Sequence, residues 1–213
     1  DTYSVLSDTF MCPILDTNDQ YRALFLKKLD VIHYAYFEDN IILTKFFDNV
    51  FDNGVKYTDD LQGKHFTDFY KQLVEKAENM DGVSFCKDDV KKCLDKSIKY
   101  YDDYFKGYDL YITHGDLRRN NILRHGNCYY AVDPIGYILP LVFDTARFII
   151  DDVDDNKLFD MESRLLMLVN YFKRWFNEKD ILMATYIFTA FITYNSTFEN
   201  EDDVQTKNYI KLM

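Results

Sequence analysis

The stretch "HGDLRRNNIL", residues 114–123, concentrates groups that accept protons, bind metal and meet phosphate. Asp116 stands two positions after His114 and five before Asn121, and a second acid, Asp133, follows in "AVDP". Phosphoryl transfer from a nucleotide needs such a set. One carboxylate orients or deprotonates the acceptor hydroxyl, while an amide oxygen and another carboxylate hold magnesium against the triphosphate. The competing reading makes His114, Asp116 and Asn121 turn residues that cap a hairpin. By independent residue frequencies, His-Gly-Asp with Asn at this spacing arises by chance in such a chain roughly once in a thousand. That rarity favours the chemical reading.

Such a loop must be carried by regular elements. The apolar runs "LYIT" and "CYYAVD" on either side read as strands, with a "HGN" turn between them. "NDQYRALFLKKLD" (18–30) spaces Leu24, Phe25 and Leu29 as an amphipathic helix would. "VIHYAYFEDNIILTKFF" (31–47) reads as two strands around an Asp-Asn turn. Helical spacing then dominates. "FTDFYKQLVEKA" aligns Phe66, Phe69, Tyr70, Leu73, Val74 and Ala77, and "KDDVKKCLDKSIKYYDDYF" aligns Val90, Cys93, Leu94, Ile98 and Tyr101. Three more helices are expected at roughly 140–150, 156–176 and 179–195, the last apolar almost all round and so buried.

Composition narrows the function classes. In 213 residues, 47% hydrophobic content supplies a large core and argues against disorder. A net charge of −11 disfavours nucleic acid as a partner and attracts a cationic substrate at long range. Cys12, Cys86, Cys93 and Cys128 form no C-x-x-C pair, which points away from zinc and towards a reduced, cytoplasmic setting. The apolar run 181–194 is too short to span a bilayer, so no membrane partner is expected; the oligomeric state is left open.

At specific residues the chain resembles the aminoglycoside phosphotransferase and choline kinase superfamily. The resemblance rests on "THGDLRRNNIL" followed by "AVDPIGYILPLVFDTARFI", and is strongest to the antibiotic phosphotransferase branch, whose loop reads H-G-D-x-x-x-x-N-I-L before I-D-P-x-G and a D-x-A helix. It implies an α+β, protein-kinase-like two-lobe fold. Residues 1–47 would form a partial N-terminal lobe ending in a hinge strand, and 48–213 a mainly helical C-terminal lobe bearing the catalytic loop. Asp116 would be the catalytic base or would position the acceptor hydroxyl, and Asn121 and Asp133 would bind Mg2+. His114 would brace the loop, and Asp144 in "FDTA" would anchor it from the next helix. "IILTKFF" (41–47) resembles the strand joining the lobes, so the backbone at Thr44, Lys45 and Phe46 would meet the adenine of ATP, or the base of GTP. Arg118 and Arg119 are candidate phosphate contacts. The family often has His near position 118, so Arg there is a departure; a solvated or Asp-paired arginine is the competing reading.

The implied activity is transfer of the γ-phosphoryl group of ATP or GTP to a hydroxyl of a small cationic acceptor. Aminoglycoside, choline-like amine, sugar and amino-alcohol all stay open. Residues 1–26 hold no Lys and no Gly, whereas the family carries a glycine-containing phosphate loop and a strand lysine held by a helix Glu. Either those parts lie outside this sequence or the small lobe is reduced and the kinase weak or inactive. Retention of Asp116, Asn121 and Asp133 speaks for activity. The alternative is a nucleotide-binding pseudokinase acting through partner contacts. An atypical protein kinase is disfavoured because the chain runs from Asp133 into "FDTARF" with no A-P-E-type segment. His33, His65 and His125, Trp175 and Tyr194 read as structural. The acids Asp151, Asp152, Asp154, Asp155, Glu199, Glu201, Asp202 and Asp203 read as solvated, with some available to line a pocket for an amine.

Overall fold

The structure is a computed structural model that describes residues 2–7, 9–29, 40–61, 63–78, 87–155 and 160–199. Two compact units emerge, each discontinuous in sequence: residues 1–63 with 110–141, and 64–109 with 142–213. The first carries the polar loop. The expected boundary at 47/48 falls inside a helix of that unit.

The first unit starts with α1 (Thr2–Leu6), then β1 (Ile14–Asn18) and β2 (Ala23–Leu26), an antiparallel hairpin. The hairpin replaces the helix expected over 18–30, with residues 19–22 in its turn. The Asn18 Oδ1 accepts the Tyr21 amide at 3.1 Å and Arg22 takes a left-handed φ of 49°, so side-chain and backbone turn bonds divert the chain from a helix. A second correction concerns 31–47. Its first strand lies outside the described residues, and "IILTKFF" belongs to a helix, α2 (Asn40–Asp52). Leu43, Phe46, Phe47 and Val50 are buried at intervals of three and four, so the helical period wins over the strand-like look of Ile and Phe.

Two small sheets frame the loop. β5 (Tyr111–Ile112) lies antiparallel between β3 (Val55–Lys56) and β8 (Tyr137–Leu139). β6 (Ile122–His125) and β7 (Cys128–Ala131) pair as a hairpin around "GN". On the far side of β7, a parallel bridge joins Met11 to Ala131: the Cys12 amide donates to the Ala131 carbonyl and the Ala131 amide to Phe10.

The second unit opens with the two-residue strand β4 (Lys64–His65) and continues as α3 (Phe66–Glu78), α4 (Lys87–Tyr104), α5 (Val142–Asp155), α6 (Met161–Phe172) and α7 (Glu178–Glu199). An aromatic core of Phe66, Tyr101, Phe105, Phe143, Phe188 and Phe191 joins four of them, with Phe66 and Phe191 rings 4.9 Å apart. Thr185, Thr189 and Thr193 return their hydroxyls to carbonyls four residues back, which lets α7 bury three polar side chains. Asp160 caps α6 through the Ser163 amide. Asp152, expected in solvent, is instead fully buried and bonded to the buried Arg164 at 2.5 Å. Tyr194 is buried, while Trp175 is half-buried against Tyr171 and Phe172. His65 is exposed, His125 half-buried on β6, and His33 lies outside the described residues. Among the described residues no helix is long and apolar enough to cross a membrane.

Candidate active site

The polar loop leaves β5 at Thr113, whose amide and hydroxyl both donate to the Tyr137 carbonyl at 2.9 Å. This pins the loop's start to β8. His114 follows, 0% exposed. Its carbonyl accepts the amides of Ile135 at 2.8 Å and Gly136 at 3.2 Å. Its ring bridges two segments: Nε2 lies 3.0 Å from the Val132 carbonyl, and Nδ1 accepts the Asp116 amide at 3.3 Å. A carbonyl only accepts and a backbone amide only donates, so the geometry assigns the neutral tautomer with its proton on Nε2.

Gly115 is required where it stands. Its φ is +79°, and a Cβ there would meet the Tyr137 ring at 2.7 Å and Ile135 at 3.3 Å. Tyr137 is buried; burial and, secondarily, the Asp116 carboxylate hold its phenol well above its ordinary range.

Asp116 is mostly covered, with its side chain 18% exposed. The Asn121 Nδ2 donates to its carbonyl and to its Oδ2, each at 2.9 Å. The Asn121 oxygen takes no part in those bonds. The chain between them closes a tight turn: Arg118 N donates to Asp116 O at 2.8 Å, and Asn121 N to Arg118 O at 2.9 Å, forming a single 3-10 turn over Arg119–Asn121. Arg118 Nε lies 3.2 Å from Asp116 Oδ2, and Arg119 is half-buried on that turn.

Asp133 is brought close through the backbone. Ile122 pairs with Ala131, and the Val132 amide donates to the Asn121 carbonyl at 2.9 Å, so Asp133 extends the β7 end opposite Asn121. Asp133 is exposed and has a φ of 61°, an uncommon state for a residue with a side chain. It also borders a cleft of about 430 Å³ lined by Thr2, Tyr3, Leu24, Leu26, Val132 and Pro134. Spacing alone does not reveal this cleft, because Leu24 and Leu26 line it only when 14–26 forms a hairpin and not the expected helix.

The other candidates fall elsewhere. Thr44, Lys45 and Phe46 lie within α2, and Phe46 is buried. Their contact with a base was expected from a free strand edge, whereas a helix uses its backbone N–H and C=O groups internally. Asp144 is buried in the first turn of α5, in the second unit.

No group of three or more His, Cys, Asp or Glu side chains able to hold a metal occurs among the described residues. The donors present, an amide oxygen and a carboxylate, are hard oxygens. They fit a magnesium ion that completes its shell with phosphate and water rather than one caged by protein alone.

No family model matches the chain, and no curated protein matches it in sequence. Solved structures do match over its whole length. A choline/ethanolamine kinase family protein from Mesorhizobium loti aligns with 100% of this chain and 76% of its own, at 10% identity and a TM-score of 0.65. A thermostable mutant of an aminoglycoside phosphotransferase, in its apo form, aligns with 100% of this chain and 81% of its own, at 13% identity and a TM-score of 0.63. Choline kinase from Cryptosporidium parvum gives 100% and 76%, 13% identity and a TM-score of 0.57. The chain therefore has the α+β, kinase-like fold of these structures.

Proposed function

We propose that this chain is a small-molecule phosphotransferase of the aminoglycoside phosphotransferase and choline kinase kind. It moves the γ-phosphoryl group of ATP or GTP to a hydroxyl of a small cationic acceptor. One observation carries the reading. Asp116, Asn121 and the strand end that bears Asp133 are tied into one hydrogen-bonded circuit, with the His114 ring spanning from the Asp116 amide to the Val132 carbonyl. A hairpin turn needs no buried histidine joining two loops.

In this reading Asp116 holds the acceptor hydroxyl and takes its proton. The acceptor oxygen bonds to the γ-phosphorus while the bond to the β,γ-bridging oxygen breaks, and that electron pair leaves on the nucleoside diphosphate. Asn121 Oδ1 and the Asp133 carboxylate would hold magnesium, which supplies charge neutralisation for the phosphates. Asn121 also holds Asp116 Oδ2, so base and metal ligand share one fixed geometry. The cleft beside Asp133 is our candidate for the nucleotide base, with Tyr3, Leu24, Leu26 and Val132 as apolar walls. The net charge of −11 favours a cationic acceptor.

The test is Asp116→Asn. With Mg·ATP and a panel of aminoglycosides, choline-like amines and amino-alcohols, mass spectrometry should find a phosphorylated product with the native chain and none with the variant, while both bind nucleotide. Undiminished turnover in the variant refutes the assignment of Asp116. Mg·ATP-dependent thermal stabilisation without product across the panel would instead support a pseudokinase.

A further inference from the structure

We propose that Arg118 is a further catalytic residue, whose guanidinium binds the phosphoryl group as it passes from nucleotide to acceptor; this rests on the phosphotransferase reading above. The first support is the state of its Nε, which is buried and makes no hydrogen bond, yet lies at ion-pair distance, 3.2 Å, from Asp116 Oδ2. That oxygen already accepts the Asn121 amide at 2.9 Å. The arginine thus pairs with the carboxylate by charge alone, its Nε–H out of line for a hydrogen bond, so the pair does not fix the guanidinium in one hydrogen-bonded geometry.

The second support is how the residue is mounted. Its amide donates to Asp116 O and its carbonyl accepts the Asn121 amide, so the Arg118 backbone is clamped between base and metal-ligand candidate. The side chain beyond remains 41% exposed. A rigid base with an open tip suits a group that must meet an incoming ligand. Arg118 is assigned, and not Arg119, because its Nε faces the carboxylate.

The chemistry supplies the need. The acceptor oxygen is held by an anionic carboxylate and attacks an anionic phosphoryl group, so the two negative charges must come close together. A guanidinium beside Oδ2 lies between them and offers a planar fork to the equatorial phosphoryl oxygens. These oxygens carry the charge of the transition state, in which the acceptor O–P bond forms, the bridging P–O bond breaks and the acceptor proton goes to Asp116. The interaction is therefore stronger in the transition state than in the resting nucleotide complex.

The experiment needs no identified acceptor. Calorimetric titrations of the native chain, Arg118→Ala and Arg118→Lys with Mg·ADP, alone and with aluminium fluoride, are paired with ATP hydrolysis using water as acceptor. Both variants should bind Mg·ADP within about twofold of native, while Arg118→Ala loses the extra affinity given by aluminium fluoride and hydrolyses ATP about 100-fold more slowly. Arg118→Lys should fall between, and millimolar guanidinium ion should restore part of the Arg118→Ala rate, which a purely structural role would not allow. Retained aluminium fluoride affinity in Arg118→Ala, or an equal loss of Mg·ADP itself, overturns the proposal. A native chain that binds no Mg·ADP overturns the phosphotransferase reading and this inference with it, and the native arm identifies that failure.

Discussion

His114 offers the sharpest perturbation, because its two ring nitrogens serve different parts of the site. Nε2 faces the Val132 carbonyl at 3.0 Å, next to Asp133, while Nδ1 accepts the Asp116 amide at 3.3 Å. Replacement by Ala leaves a part-buried carbonyl and a part-buried amide without these partners, and each orphaned group costs about 1–3 kcal/mol, towards the lower end where water can reach it. It also removes a ring packed 6.3 Å from Phe10, so His114→Ala should lose about 3–5 kcal/mol in urea unfolding, a large share of a typical domain's stability. Amide side chains separate the two bonds. Asn places an oxygen where Nδ1 sits, and Gln places an N–H near Nε2. His114→Asn should keep Asp116 oriented but loosen the Asp133 segment, raising the magnesium concentration needed for nucleotide binding. His114→Gln should keep the Asp133 segment and lower kcat, by about 100-fold if the Asp116 carboxylate shifts by an ångström. Nucleotide calorimetry at varied magnesium and steady-state turnover read the two effects apart. Identical urea midpoints, magnesium dependence and kcat across all three variants would refute the bridging role.

The buried pair in the second unit gives a stability test: Asp152→Ala or Arg164→Ala alone should cost about 3–5 kcal/mol, while the double variant Asp152→Leu/Arg164→Met should come close to native in urea. Asp133→Gly should hold or raise thermal stability, by up to about 1 kcal/mol, since Gly tolerates the φ of 61° freely, yet abolish the shift in Tm given by Mg·ATP. A lower Tm with the nucleotide shift intact would contradict the assigned role. Burial, joined for Tyr70 by the Asp95 hydrogen bond and for Tyr101 by the Asp102 charge, pushes both phenols from 10.0 up to about 12. The unfolded chain thus ionises first on the alkaline side. The stability these phenols confer should be full below pH 10 and lost between pH 10 and about 12, and Tyr101→Phe should flatten that slope in urea midpoints taken against pH.

Helices with a long apolar face were legible from sequence. α3 and α4 repeat the helical period over three turns or more, and no strand can satisfy that pattern. Shorter segments were decided by details the period does not weigh. In 18–30 only Leu24, Phe25 and Leu29 sit at helical spacing, and Leu24 and Phe25 stay outside the core, at 37% and 52% exposure. One Asn18 side-chain bond and one left-handed Arg22 therefore outweighed them. Residues 41–47 alone span fewer than two helical turns, too short to separate a helix from a strand. Extended to Val50, the run shows Leu43, Phe46, Phe47 and Val50 on one helical face, a signal present in the sequence itself.

The site divides along the same line between local and non-local causes. The spacing of Asp116 and Asn121 could be read because both lie in one turn, five residues apart, where local bonds fix their geometry. The β6–β7 hairpin extends that locality to Asp133 by register, since Ile122 opposite Ala131 leaves Asn121 opposite Val132. Everything that depends on distant chain meeting the loop was hidden. The Tyr137 ring that makes Gly115 obligatory comes from β8, and Leu24 and Leu26 reach the cleft at Asp133 only because 14–26 folds back as a hairpin. Arg118 stands between the two cases. Its position was plain, but its meaning depends on an angle: Nε at ion-pair distance from Asp116 and out of line for a hydrogen bond. Spacing can place a cation beside a carboxylate; only coordinates show whether the carboxylate has satisfied it.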